Sequence, residues 1–211
     1  MQGKLRLGIM GGTFDPIHMG HLIMAEAVRD EFGLDRVLFI PAAHPPHKQG
    51  RWDLAGAEHR YRMTELAVRS NPYFDISDME LHRKEPSYSV VTIDRLRESY
   101  GQDAEFYFIT GADAINELFT WYHAEELLEK CCFIAANRQG TELDMELLRS
   151  HFGELAEKRI HQLVTPAVEI SSTDIRQRIH RGRSITYRVP AAVEEYIDKE
   201  GLYREPDDDE P

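Results

Sequence analysis

Lys4-Leu5-Arg6-Leu7-Gly8-Ile9-Met10 runs straight into Gly11-Gly12-Thr13-Phe14-Asp15-Pro16-Ile17-His18-Met19-Gly20-His21, and Leu22-Ile23-Met24-Ala25-Glu26-Ala27-Val28 follows. The first stretch is short and rich in apolar residues, and the last spaces its apolar residues as a helix does, so the segment reads as strand, tight loop, helix. Gly11 and Gly12 let the backbone come close to a ligand, and Pro16 fixes one turn. His18 and His21 stand three apart at the start of the helix, where their side chains share a face. A helix N-terminus offers unbonded N–H groups and partial positive charge. Two imidazoles added there make a site for phosphate oxygens that has no Walker lysine.

A glycine turn after a strand can be nothing more than a turn, and two histidines at this spacing can arise by chance. The order Gly-Thr-Phe-Asp-Pro-x-His-x-Gly-His is far more specific than either feature alone. A competing use of the pair is zinc, with His18, His21, His44 and His47 as four imidazole ligands. Zinc sites built on such pairs are usually completed by carboxylate or cysteine, and they have no need of the flanking glycines and proline.

Outward from this loop the same alternation continues. Residues 37–40 are a second strand, stopped by Pro41, and the loop after it contains Pro45, Pro46, His47, Lys48 and Arg51. The pattern is helical over 58–70, with short extended pieces at 73–76 and 79–82, and helical again over 90–99. Residues 105–109 are a strong strand, followed by Thr110-Gly111-Ala112-Asp113 and a helical stretch with Trp121 and Tyr122 near its end. Residues 131–136 and 161–164 read as extended, 143–152 and 172–180 as helical, and Pro190 introduces a last helix over 191–200. Strands alternating with helices imply right-handed crossovers and an α/β fold. The expectation is a Rossmann-like, doubly wound, mostly parallel sheet with helices on both faces. Ligands then bind outside the carboxyl ends of the strands, in the loops at 11–21, 41–51, 110–113, 136–140 and 170–176.

With 211 residues and 42% hydrophobic content, the chain is expected to form a single domain over 1–205, followed by an acidic, disordered tail at 206–211. Cys131 and Cys132 are adjacent in an apolar stretch and suit neither a disulfide framework nor a CxxC site. The net charge of -12 argues against sequence-independent nucleic-acid binding, which needs a basic face. No apolar run reaches the roughly eighteen residues of a membrane span, and the first glycine turn comes too early for a signal peptide, so a cytoplasmic protein is expected. A phosphate ligand would therefore require local positive charge, and Lys48, Arg138 and Arg176 all fall in strand-end loops.

The second informative segment is Ile170-Ser171-Ser172-Thr173-Asp174-Ile175-Arg176. Ser171 with Asp174 fits a capping box, and this reading stands whatever else the segment does. The run of hydroxyls with Arg176 one turn on also gathers donors, helix N–H groups and a guanidinium around one point, as a triphosphate requires.

Together these two segments resemble the nucleotidyltransferases with an HxGH signature, and within them the bacterial nicotinate-nucleotide adenylyltransferases. The resemblance extends over nearly the whole chain: Pro41 to Lys48 is similar to that family's PxxxPPHK loop, Ser87-Tyr88-Ser89 to its SYT segment, and Phe108 to Asp113 to its GAD turn. Trp121-Tyr122 and the closing stretch from Val189 to Ile197 also match. The resemblance implies adenylyl transfer from ATP to nicotinate mononucleotide in NAD biosynthesis. Catalysis would fall to His18, His21 and Arg176. ATP would be bound by Gly11, Gly12, Thr13, Phe14, His18, His21, Gly111, Asp113, Arg138, Ser172, Thr173 and Arg176. Lys48, Ser89, Trp121 and Tyr122 would hold the mononucleotide, with Trp121 stacked on the pyridine ring. Taken singly, Trp121 is more commonly a core aromatic, Lys48 a solvated lysine and Asp113 a helix N-cap. Mg²⁺ would ride on the ATP phosphates, with no metal site of the protein's own and a homodimer admissible. Met19 replaces the frequent asparagine of HNGH, Ser89 replaces threonine, and Val91 stands where SYTxDT has aspartate.

Rival readings are the same reaction on nicotinamide mononucleotide, a sister adenylyltransferase or cytidylyltransferase, and a nucleotide sensor without catalysis. The PPHK and SSTDIR segments argue against the sister enzymes. The joint presence of His18, His21, Lys48 and Arg176 argues against a sensor, which could drop some of them.

Overall fold

The apolar runs form six strands, β1 Arg6–Gly12, β2 Arg36–Pro41, β3 Phe74–Ile76, β4 Glu105–Gly111, β5 Cys132–Asn137 and β6 Ile160–Val164. They pair in the order β3-β2-β1-β4-β5-β6, every pairing parallel. The structure, a computed structural model, describes residues 4–44, 54–83, 86–137, 142–164 and 168–204. The expected segment 206–211 lies outside the described residues, as do Lys48 and Arg138.

A parallel sheet is covered on both faces, which is why its strands are nearly continuous apolar runs. Successive side chains divide between two cores. Leu38, Ile40, Phe106, Phe108 and Phe133 point to one face, and Val37, Phe39, Tyr107, Ile109 and Ile134 to the other. The first core is closed by α3 Ser89–Tyr100, α4 Ala112–Asn116, α5 Ala124–Lys130, α6 Met145–Phe152 and α7 Glu154–Arg159. The second is closed by α1 Met19–Glu31, α2 Ala57–Val68, α8 Ser172–His180 and α9 Ala191–Lys199.

Two local expectations are corrected. Residues 79–82 are consecutive turns, held by Leu81 N–H to Asp78 O (2.8 Å), with Arg83 N–H to Glu80 O (3.1 Å) following. The single helix expected before Trp121 is broken into α4 and a 3₁₀ turn at Leu118–Thr120, and α5 starts only after His123 in left-handed backbone (φ 53°). The break lets Trp121 leave the helical path and set its ring edge-on to Phe108 and Phe133. Gly153, also left-handed at φ 58°, separates α7 from α6.

The chain winds outward from β1 through β2 to β3, then returns to β4 beside β1 and winds the other way to β6. Winding direction therefore reverses between β1 and β4, and the loops leaving their carboxyl ends diverge to leave a crevice there. The segments there are Thr13 to His18, between β1 and α1, and the direct junction of β4 with α4 at Gly111, with Asp113 in the first turn of the helix, so the loop expected at 110–113 is strand end and helix start.

Candidate active site

The loop after β1 is held from both ends. Gly12 O accepts Ala42 N–H from the end of β2 at 2.8 Å, and Met19 N–H donates to Arg188 O at 2.8 Å. Phe14, buried and in left-handed backbone (φ 48°), sets its ring perpendicular to His21 at 5.2 Å. His18 caps α1 in extended backbone, and its N–H donates to His21 Nδ1 at 3.2 Å. In a neutral ring that acceptor role leaves Nε2–H as the donor of His21. The two imidazoles stack with centroids 3.7 Å apart, so the shared face expected from their spacing is present. Gly20 gives the pair room: a Cβ at that position would lie a tight 3.0 Å from His18 Nδ1.

The start of α8 docks onto this loop. Ser172 Oγ donates to Pro16 O at 2.9 Å, and Ser171 Oγ accepts Asp174 N–H at 3.1 Å. The Asp174 carboxylate pairs with Arg188 Nη1 at 2.9 Å instead of turning back on the cap, so only half of the expected capping box forms. Arg176, 8% exposed, donates from Nη1 to Asp15 O at 2.7 Å, and Nη2 reaches Thr173 Oγ1 at 3.5 Å. The Ser172 hydroxyl proton is thus engaged with the loop backbone. His18, His21, Ser172, Thr173 and Arg176 are brought to one wall of the crevice.

The β4 end supplies the floor. Gly111 ends the strand and caps α4, with Asp113 in the first turn of that helix. The Asp113 carboxylate folds back over Gly111 so closely that a Cβ there would collide with Oδ1. Gly111 pairs with Ala136 of β5, so the segment leaving β5 toward Arg138 starts beside this turn.

The opposite wall is aromatic. Tyr88 stacks on Tyr122 with centroids 4.4 Å apart, which brings Ser89, the first residue of α3, to the segment of Trp121 and Tyr122. Ser87 N–H donates to His44 O at 3.3 Å and ties this segment to the end of β2. Tyr122 is 51% exposed, whereas Trp121 is half-buried against the core, its ring edge-on to Phe108 and Phe133. Val91, in place of the family's aspartate, packs against the same core. A hollow of about 460 Å³ adjoins Trp121 on the side of Phe119, His123 and His151, and no residue of the loop after β1 or of the start of α8 lines it.

The Cytidylyltransferase-like family profile matches residues 9–178. A protein of Thermoanaerobacter sp. (strain X514), named "Probable nicotinate-nucleotide adenylyltransferase", is 49% identical over 209 residues, covering 97% of each chain. A protein of the same name from Moorella thermoacetica is 51% identical over 200 residues, covering 94% of this chain and 92% of that one. The chain belongs to the nicotinate-nucleotide adenylyltransferase family. It is a nucleotidyltransferase of the cytidylyltransferase-like superfamily. Its fold matches Plasmodium falciparum nicotinic acid mononucleotide adenylyltransferase complexed with NaAD, with a TM-score of 0.77 at 21% identity over 94% of this chain and 97% of that chain.

Four residues that build the site were not singled out in the sequence: Asp15, Arg60, Arg188 and Tyr203. Arg60 of α2 is 1% exposed and donates to Thr13 O (2.8 Å), Ala42 O (2.6 Å), Ala43 O (3.2 Å) and Ala55 O (3.0 Å). One guanidinium therefore ties the loop after β1 to the loop after β2. Burial pushes its pKa down, and the nearby Asp15 opposes that shift. A lone arginine in an amphipathic helix reads as solvated, so nothing in its position announces this role. Among the described residues no group of three His, Cys, Asp or Glu could hold a metal ion, and no helix is long and apolar enough to cross a membrane.

Proposed function

We infer that this nucleotidyltransferase transfers the adenylyl group of ATP to nicotinate mononucleotide, giving nicotinate adenine dinucleotide and pyrophosphate, as a cytoplasmic step of NAD biosynthesis. The observation that carries the reading is the convergence of the stacked His18–His21 pair, the start of α8 and Arg176 on the β1/β4 crevice. The acceptor is supported by the two bacterial relatives, both named for the nicotinate nucleotide.

A phosphate oxygen of the mononucleotide attacks the α-phosphorus of ATP. One P–O bond forms, the α–β bridge breaks, and the electron pair leaves with pyrophosphate. No protein nucleophile is needed, so catalysis consists of alignment and of balancing charge on the phosphoryl oxygens. His18 and His21 face the α-phosphate, and Arg176 with the backbone N–H groups of Ser172 and Thr173 and the Thr173 hydroxyl receives the β and γ phosphates. Gly11, Gly12, Thr13 and Phe14 shape the backbone against the nucleotide, and Gly111 with Asp113 meets the adenosine ribose. Trp121 stacks on the pyridine ring beside Ser89 and Tyr122. Lys48, for the mononucleotide phosphate, and Arg138, beside the adenine, belong to the same proposal but lie outside the described residues. Magnesium carried on the triphosphate supplies charge neutralisation, and such a metal prefers phosphate and water oxygens.

The test is to incubate purified protein with ATP and each pyridine mononucleotide and to measure pyrophosphate and dinucleotide together. Nicotinate mononucleotide is expected to be used at least about tenfold more efficiently than the amide, since donors placed for a carboxylate leave an amide mispaired. No dinucleotide from either acceptor would sink the reading.

A further inference from the structure

Asp15 is 2% exposed and binds three partners from distant parts of the chain. Its Oδ2 lies 3.4 Å from Arg176 Nη1, and its backbone carbonyl accepts that same nitrogen at 2.7 Å. Its Oδ1 accepts Ala55 N–H at 3.1 Å and the Tyr203 hydroxyl at 2.7 Å. Tyr203 lies beyond α9 in left-handed backbone at φ 64°, a conformation disfavoured for an aromatic residue, with its ring packed on the second core. Strained backbone that persists in a bulky residue must be held by its surroundings, and here it aims a phenol at the phosphate loop.

We propose that Tyr203 is a positioning residue for adenylyl transfer: by donating its hydroxyl to Asp15 it fixes the carboxylate that holds Arg176 against the phosphate-binding loop. The inference rests on the function proposed above.

The geometry supports an effect on the reaction beyond an effect on folding. A carboxylate with one oxygen facing a guanidinium can rotate about its Cβ–Cγ bond, and the guanidinium can then follow it. Two donors on Oδ1, Tyr203 O–H and Ala55 N–H, remove that freedom and leave Oδ2 for Arg176. Burial, reinforced by Asp15, pushes the Tyr203 phenol well above its ordinary range, so it remains a donor at every pH at which the enzyme works. Preorganisation of a cation that meets charge developing in the transition state changes kcat more than it changes substrate binding.

The experiment is a double-substitution cycle on Tyr203→Phe and Arg176→Lys, following pyrophosphate release with saturating ATP and nicotinate mononucleotide. Tyr203→Phe is expected to lower kcat about tenfold, with both KM values within about twofold, which is the pattern of an interaction realised in the transition state. In the Arg176→Lys background the same change is expected to have almost no effect, because residues acting as a unit are not additive. Asp15→Asn serves as the second variant: it should lose at least as much kcat, and adding Tyr203→Phe to it should cost nothing more. Unchanged kcat with only a lower melting temperature, a loss confined to KM, or losses that multiply across the cycle would each overturn the inference. Failure of the unsubstituted protein to make dinucleotide would instead overturn the function, so the two failures are distinguishable.

Discussion

The two walls of the crevice are built on opposite principles. The phosphate wall, from Gly11 to His21 with the start of α8, is fastened by buried charge, Arg60 on four carbonyls and Asp15 on Arg176, Tyr203 and Ala55, with the part-exposed pair of Arg188 and Asp174 beside them. The aromatic wall, Tyr88 with Trp121 and Tyr122, rests on ring contacts at the core's margin, and Tyr122 remains half exposed. Charge on a transferring phosphoryl group rewards donors that do not move, whereas a planar pyridine ring needs only a flat face to stack on. On the proposed function, the difference puts rigidity where charge develops.

Arg60 offers the strongest way to break that contrast. Arg60→Met removes the guanidinium and leaves the carbonyls of Thr13, Ala42, Ala43 and Ala55 to find other donors in a buried setting. Unsatisfied buried acceptors predict a loss on the order of 4 kcal/mol in urea unfolding, against a change within about 0.5 kcal/mol for the exposed Arg69→Met. Equal stability of the two variants would show that the phosphate wall does not depend on its buried cation.

His18→Ala comes next and reads chemistry, with little effect on the fold. The imidazole stacks on His21 at the N-cap of α1, and the backbone N–H of residue 18 to His21 Nδ1 survives the change. kcat for pyrophosphate release should fall about 10²–10³-fold, the usual cost of one preorganised transition-state donor. Near-normal turnover would remove His18 from the transition state and leave it a spacer for His21.

The same contrast explains what could be read from the residues alone. The strand periodicity, the glycines and the His18/His21 spacing are local, so the fold, the switch-point loop and the stacked pair were legible. Asp15, Arg60 and Tyr203 were not, because each works through partners far along the chain; Tyr203 and Asp15 are separated by 188 positions. In a linear reading Arg60 is one more charged residue of an amphipathic helix. The break before Trp121 was also hidden, since residues 112–130 contain no glycine or proline, and it is set by the tertiary demand that Trp121 meet Phe108 and Phe133.

Trp121→Phe carries the smallest expected effect and sharpens the contrast most directly. A phenyl ring retains an edge toward Phe108 and Phe133, so the core contact at 5.8 Å and 6.1 Å is reduced but not abolished, and the melting temperature should move little. The stacking face shrinks, however. If the aromatic wall serves only to hold a planar ring, KM for nicotinate mononucleotide should rise about fivefold, roughly 1 kcal/mol of lost stacking, while KM for ATP and kcat stay within about twofold. A matching fall in kcat would mean that the stacked ring also aligns the attacking phosphate. In that case the two walls share the work of positioning, and the division between a rigid phosphate side and an adaptable ring side does not hold.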